Sequence, residues 1–143
     1  MVPDDMRRAG LAADLPWKAG ESMPRVMGAL SPYATLLIHA YIESHLAGAC
    51  RREDAARVAG LSKSQFTRAF RNRFGCCFRR YLQNRRIALA QAMMLTDMPL
   101  SQIAVSCGMA DQAHLSKFFR RRVGQTPSAW RRWVRARGTH AAL

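Results

Sequence analysis

Apolar residues recur at three- and four-residue intervals along most of this chain, and alternation with a period of two persists nowhere. That pattern predicts an all-α fold. Leu37, Ile38, Tyr41, Ile42 and His45 mark the buried side of a helix from about Pro32 to Leu46, opened by Ser31 as N-cap and Pro32 in the first turn, and ended by Gly48. A second helix is expected over about Glu53 to Ala59, and a third follows Ser62 as N-cap. Along the third, Leu61, Phe66, Ala69, Phe70 and Phe74 form an apolar stripe, which leaves Lys63, Ser64, Thr67, Arg68 and Arg71 on the outer face. The stretch from Arg79 to Leu95 has neither Gly nor Pro and reads as one continuous helix, with Met93 and Met94 on its packing side. Beyond Pro99, a short helix through Ile103 and Ala104 leads to Gly108. Another runs from about Asp111, as N-cap, to Arg122, with Gln112, Ala113, Ser116, Lys117 and Arg120 outward. Pro127 opens a last helix in which Trp130, Trp133 and Val134 are expected to close a core.

Part of this pattern occurs twice. Ala55-Ala56-Arg57-Val58-Ala59-Gly60-Leu61-Ser62 returns as Ile103-Ala104-Val105-Ser106-Cys107-Gly108-Met109-Ala110, at a spacing of 48. Phe70-Arg71-Asn72-Arg73-Phe74-Gly75 then matches Phe119-Arg120-Arg121-Arg122-Val123-Gly124 at 49, so the second copy holds one extra residue after its glycine. A short helix, a glycine turn and a basic amphipathic helix make a helix-turn-helix, here present as two units joined by a long linker helix. Gly60 can take the left-handed conformation that such a turn needs. The linker would be roughly 25 Å long, which suits recognition helices in successive major grooves about 34 Å apart.

Pro3, Pro16, Pro24, Gly10, Gly20 and Gly28 break up the start of the chain. Residues 1–31 are therefore read as a flexible arm, with at most a short helix around Asp4 to Ala13. Residues 32–136 form the expected DNA-binding domain and 137–143 a tail.

Charge sharpens the reading. The 143 residues carry 23 Lys and Arg against 9 Asp and Glu, a formal charge of +14. Residues 50–143 hold 19 of those bases and only 4 acids. No acid occurs from Ala55 to Thr96 or from Gln112 to Leu143, so local ion pairs should not neutralise these stretches, and a polyanion is the expected partner. The excess is mostly Arg, whose planar fork suits phosphate and guanine. No apolar run approaches the roughly 18–20 residues of a membrane span, so no membrane partner is expected. Without a secretion-type leader, a reduced cytoplasmic setting follows. Cys50, Cys76, Cys77 and Cys107 lack zinc spacing, His114 has no second ligand nearby, and Cys76-Cys77 reads as incidental. No cofactor or metal is expected. Nor is an enzyme, since no Ser/His/Asp set, paired acids or phosphate loop is present.

Ile103-Ala104, Gly108-Met109, Asp111-Gln112-Ala113-His114-Leu115-Ser116, Phe118-Phe119-Arg120-Arg121, Gly124, Thr126-Pro127 and Trp130-Arg131 together closely resemble the C-terminal signature of the AraC/XylS family. Gly60-Leu61-Ser62, Phe66, Arg68, Phe70, Phe74-Gly75, Tyr81-Leu82 and Arg86-Ile87 through Ala90 are similar to its other half, so the resemblance covers about residues 33–135. It implies a seven-helix DNA-binding domain of a bacterial transcription regulator, usually an activator touching RNA polymerase. By position, Ser64, Thr67 and Arg68 would read bases from the first recognition helix, and Gln112, Ala113 and Lys117 from the second. Ser62, Lys63, Arg71 and Arg73, with His114, Ser116, Arg120 and Arg121, are candidate phosphate contacts. Arg131, outside both recognition helices, is expected to support binding to all sequences alike.

Four positions depart from the family pattern: Phe78 in place of proline, Ala55 of a larger aliphatic, Met109 of phenylalanine, and Arg51 of a capping residue. Neighbours are expected to fill the space; the alternative is a loosely packed first unit that docks only once DNA supplies contacts. The segment before Pro32 is too short for a sensing domain, so the chain reads as a small regulator or a shortened one. The duplicated units predict a monomer on one asymmetric site, with dimerisation through Leu11, Leu15 and Trp17 of the arm as the alternative. The rival function is a non-specific architectural nucleic-acid binder, for which charge alone would suffice.

Overall fold

In the computed structural model, which describes residues 30–141, every regular element is an α-helix. Seven follow in chain order: α1 (Pro32–Ser44), α2 (Arg52–Val58), α3 (Lys63–Phe74), α4 (Phe78–Met94), α5 (Leu100–Ser106), α6 (Gln112–Val123) and α7 (Pro127–Ala141). The all-α expectation holds, with two helix-turn-helix units, α2–α3 and α5–α6. The expected Asp4–Ala13 helix and the Leu11, Leu15 and Trp17 surface lie outside the described residues.

The chain divides into two compact units. The described residues up to His45 join Ala49–Tyr81 in the first, while Leu46–Gly48 join the residues from Leu82 onward in the second.

In the first unit, the Ser31 hydroxyl oxygen accepts the Ala34 N–H at 3.1 Å and Pro32 sits where its missing N–H costs nothing. Ala34, Leu37, Ile38, Tyr41 and Ile42 of α1 are buried, and α1 packs on α2. This helix ends at Ser44, earlier than expected, and Gly48 lies beyond it. His45 caps it and is only half-buried: its ring stacks 4.2 Å from that of Tyr41, with Nδ1 2.8 Å from the Tyr41 carbonyl oxygen. An imidazole finds that partner at a helix end, not in an apolar core.

Phe66, Ala69 and Phe70 of α3 are buried, with Leu61 and Phe74 half-buried beside them. Phe78 starts α4 and packs edge-on against Phe66 at 5.8 Å and Phe70 at 5.5 Å, while Tyr81 meets Phe70 at 5.5 Å. Ala55 is wholly buried. Neighbours thus fill the space at Phe78 and Ala55, as expected of those two departures. Arg51 does leave α2 without a side-chain cap.

The second unit is built on Ile87, Ala90 and Met94 of α4, Ile103, Ala104 and Cys107 around α5, Met109, and Leu115 and Phe119 of α6. Trp130 of α7 packs edge-on against Phe119 at 5.8 Å. Trp133 does not close this core. It is 47% exposed, with the Arg137 guanidinium 4.6 Å from its ring centre, because the helical repeat keeps Val134 on the inner side and turns Trp133 off it.

Two arginines point inward here. Arg86 donates to the Leu46 and Gly48 carbonyls, each at 3.0 Å, and Arg131 donates to those of Met94 at 3.2 Å and Met98 at 2.6 Å. Arg131 thus helps to hold its own unit together. Carbonyls at a helix end lack intrahelical donors, and a guanidinium satisfies two at once.

Candidate nucleic-acid interface

The repeated sequence builds the same turn twice. Gly60 (φ +68°) and Gly108 (φ +81°) both take the left-handed conformation. In the first unit the N–H of Gly60 bonds the Arg57 carbonyl at 3.0 Å and that of Leu61 bonds Ala56 at 3.0 Å. In the second, Gly108 bonds Val105 at 3.1 Å and Met109 bonds Ala104 at 2.8 Å. This paired bonding is the Schellman pattern, which stops one helix and aims the next.

Each recognition helix is then capped by its own device. Ser62 accepts the Gln65 N–H at 3.3 Å while the Gln65 side chain accepts the Ser62 N–H at 3.1 Å, a reciprocal capping box in which Gln65 is a partner the sequence reading missed. Asp111 caps α6 as expected, accepting the His114 N–H at 2.7 Å. The extra residue of the second copy, Ala110, donates its N–H to His114 Nδ1 at 3.1 Å. Nδ1 is thereby an acceptor, leaving Nε2 to carry the ring proton of the neutral imidazole.

On α3 the candidate base readers Ser64, Thr67 and Arg68 are all exposed. Together with Arg52, Lys63, Arg71 and Asn72 they line one open cleft of about 530 Å³. Thr67 donates its hydroxyl proton to the Lys63 carbonyl at 2.9 Å, so a methyl group and an oxygen lone pair remain to offer outward. Ser62, Arg71 and Arg73 are exposed, and the Arg73 guanidinium lies 5.6 Å from the Phe74 ring. On α6 the candidate readers Gln112, Ala113 and Lys117 are likewise exposed, as are Arg120 and Arg121, whereas His114 and Ser116 are half-buried. His114 meets Phe118 edge-on at 4.8 Å, and Arg121 lies 6.0 Å from the same ring.

The cations are less isolated than the acid-free stretches suggest. Lys63 Nζ lies 3.4 Å from Glu53, Arg57 lies 3.0 Å from Asp54, and Arg135 lies 2.8 Å from Asp97. Each acid stands just outside those stretches, and folding returns it to them. The carboxyl of Glu53 is lowered from its ordinary value, chiefly by a hydrogen bond from its own backbone N–H; desolvation, next in size, opposes this, and Lys63 and Arg52 add to the lowering. Cys107 behaves oppositely: burial pushes its thiol up, and Sγ donates to the Ala104 carbonyl at 3.4 Å. Among the described residues no group of three His, Cys, Asp or Glu side chains comes together to hold a metal, and no helix is long and apolar enough to cross a membrane.

Two capped, outward-facing helices, each following a glycine turn and rich in Arg and Lys, define a helix-turn-helix DNA-binding protein. A family model described as a helix-turn-helix domain matches residues 55–132. The chain is 34% identical over 101 residues to the probable transcriptional regulator LumQ of Photobacterium leiognathi, covering 70% of this chain and 41% of that protein. It is 35% identical over 89 residues to the HTH-type transcriptional activator RhaS of Escherichia fergusonii, covering 62% and 32% respectively. Among solved structures, the DNA-binding domain of the global transcriptional factor AdpA in complex with a target DNA superposes with a TM-score of 0.68 at 30% identity. That match covers 75% of this chain and 96% of AdpA's domain. The chain belongs to the AraC/XylS family of transcriptional regulators. It spans about a quarter to two-fifths of the length of the curated relatives it matches.

Proposed function

We propose that residues 32–136 bind duplex DNA sequence-specifically, placing α3 and α6 in successive major grooves, and that the protein activates transcription through contact with RNA polymerase. The carrying observation is that one turn geometry, built twice, presents two differently equipped helices. Arg68 can fork onto guanine and Gln112 onto adenine. The Thr67 methyl and Ala113 suit a thymine methyl, Ser64 offers a short hydroxyl, and Lys117 reaches an acceptor edge. Ser62, Arg71 and Arg73 flank the first set; His114 through Nε2, Ser116, Arg120 and Arg121 flank the second, all toward phosphates. Lys63 does so with its charge shared with Glu53.

Because the two reading sets differ, the site is asymmetric and one chain occupies it. The AdpA–DNA complex supports duplex as the ligand, and the activator RhaS supports the direction of regulation. Duplex titrations across salt test the binding itself. For six to ten phosphate contacts, affinity should fall roughly a thousandfold or more between 50 and 200 mM salt. A flat response would remove the reading, and equal affinity for every sequence would favour an architectural binder.

A further inference from the structure

Glu53 lies on α2, yet its carboxylate reaches over the turn to α3. One oxygen, Oε1, lies 3.4 Å from Lys63 Nζ and 3.8 Å from the Arg52 guanidinium. Both cations line the open cleft that holds Arg68 and Arg71, so one acid engages two of its four positive side chains. An exposed glutamate carboxyl is ionised at neutral pH, and the shift of Glu53 is in the direction that favours the charged form. The pairs are exposed, with Lys63 at 62% and Glu53 at 41%, so a phosphate can compete for Lys63 but must approach a carboxylate to do so. The second copy has no such device. Ser101 stands 48 residues after Glu53 and Gln112 stands 49 after Lys63, both neutral.

We propose that Glu53 is a specificity-determining residue: by engaging Lys63 and Arg52 it withdraws phosphate attraction from the first helix-turn-helix, so that α3 binds well only where its base contacts are made. This rests on the sequence-specific reading above. On random duplex all attraction is to phosphates and the register is loose, so a released Lys63 would find a phosphate. At a cognate site the base contact of Arg68 fixes the register, and release of Lys63 adds less.

The test is fluorescence anisotropy of the full chain against a labelled random duplex and a duplex selected from a random library, each across 50 to 200 mM salt. Glu53→Gln should bind random duplex about three- to fivefold more tightly, with a log–log salt slope steeper by about 0.9. The selected duplex should gain less than about twofold. Lys63→Gln alone should lower the random-duplex slope by clearly less than the about 0.9 of a full phosphate contact, and it should abolish the added slope in the Glu53→Gln background. An unchanged slope for Glu53→Gln in a protein of native helicity would overturn the proposal. So would a full loss of about 0.9 from Lys63→Gln alone, which decides the matter even if Glu53→Gln fails to fold. A native chain whose binding ignores salt would instead sink the DNA-binding reading itself.

Discussion

Gly108→Ala should damage its unit far more than Gly60→Ala damages the other, although the two glycines close the same turn. At both positions a left-handed backbone would cost an L-residue about 1–2 kcal/mol. At Gly60 an added Cβ meets nothing within 4 Å, so that strain is the whole cost. At Gly108 the Cβ would run into the Leu46 carbonyl oxygen and come within 2.7 Å of Arg86 Nε and 2.9 Å of its Cζ. The guanidinium it displaces is the one bonded to Leu46 and Gly48 at 3.0 Å each. Losing even one such charged hydrogen bond costs about 1.5–3 kcal/mol, which brings Gly108→Ala to about 2.5–5 kcal/mol. Hydrogen exchange resolved by helix reads each unit's stability separately. Protection of α5 and α6 in Gly108→Ala should fall at least about tenfold further than protection of α2 and α3 in Gly60→Ala. Matched losses would refute the packing argument and leave backbone strain as the only cost.

Arg131→Ala should lower the stability of the second unit by about 2–3 kcal/mol, read by denaturant unfolding, since it leaves the Met94 and Met98 carbonyls without their donor. A variant of native stability would refute this structural role for Arg131. Arg68→Ala and Gln112→Ala should each relax preference at one base position and cost about 1–3 kcal/mol at the cognate duplex, measured by competition binding. Iodoacetamide at neutral pH should modify exposed Cys77 while sparing Cys107 until the unit opens. Because the Cys107 thiol is raised in the fold above 9.0, its contribution to stability is intact below that pH and fades above it. Cys107→Ala should therefore lose less stability than the native chain on alkaline titration.

Much of the fold is written locally. Ser31, Ser62 and Asp111 cap helices because their short side chains reach an N–H three residues on, and Gly60 and Gly108 announce the turns by tolerating positive φ. Features that depend on distant partners were not legible. The inward roles of Arg86 and Arg131 do not show in the sequence, because the carbonyls they satisfy lie 33 to 40 residues away. Lys63 looked unpaired because Glu53 sits ten residues back, beyond helical spacing, until the turn folds it over. Trp133 looked like core because aromatic side chains usually are, although the face of α7 that holds Trp130 leaves it outside.

The claim that two different helices read one asymmetric site is tested most directly by selecting duplexes bound by the native chain from a random library. The expected motif has two unlike short blocks centred about one helical turn, roughly 10 base pairs, apart, one with a guanine read by Arg68 and the other with an adenine read by Gln112. An unenriched pool would contradict it, as would a single block repeated symmetrically.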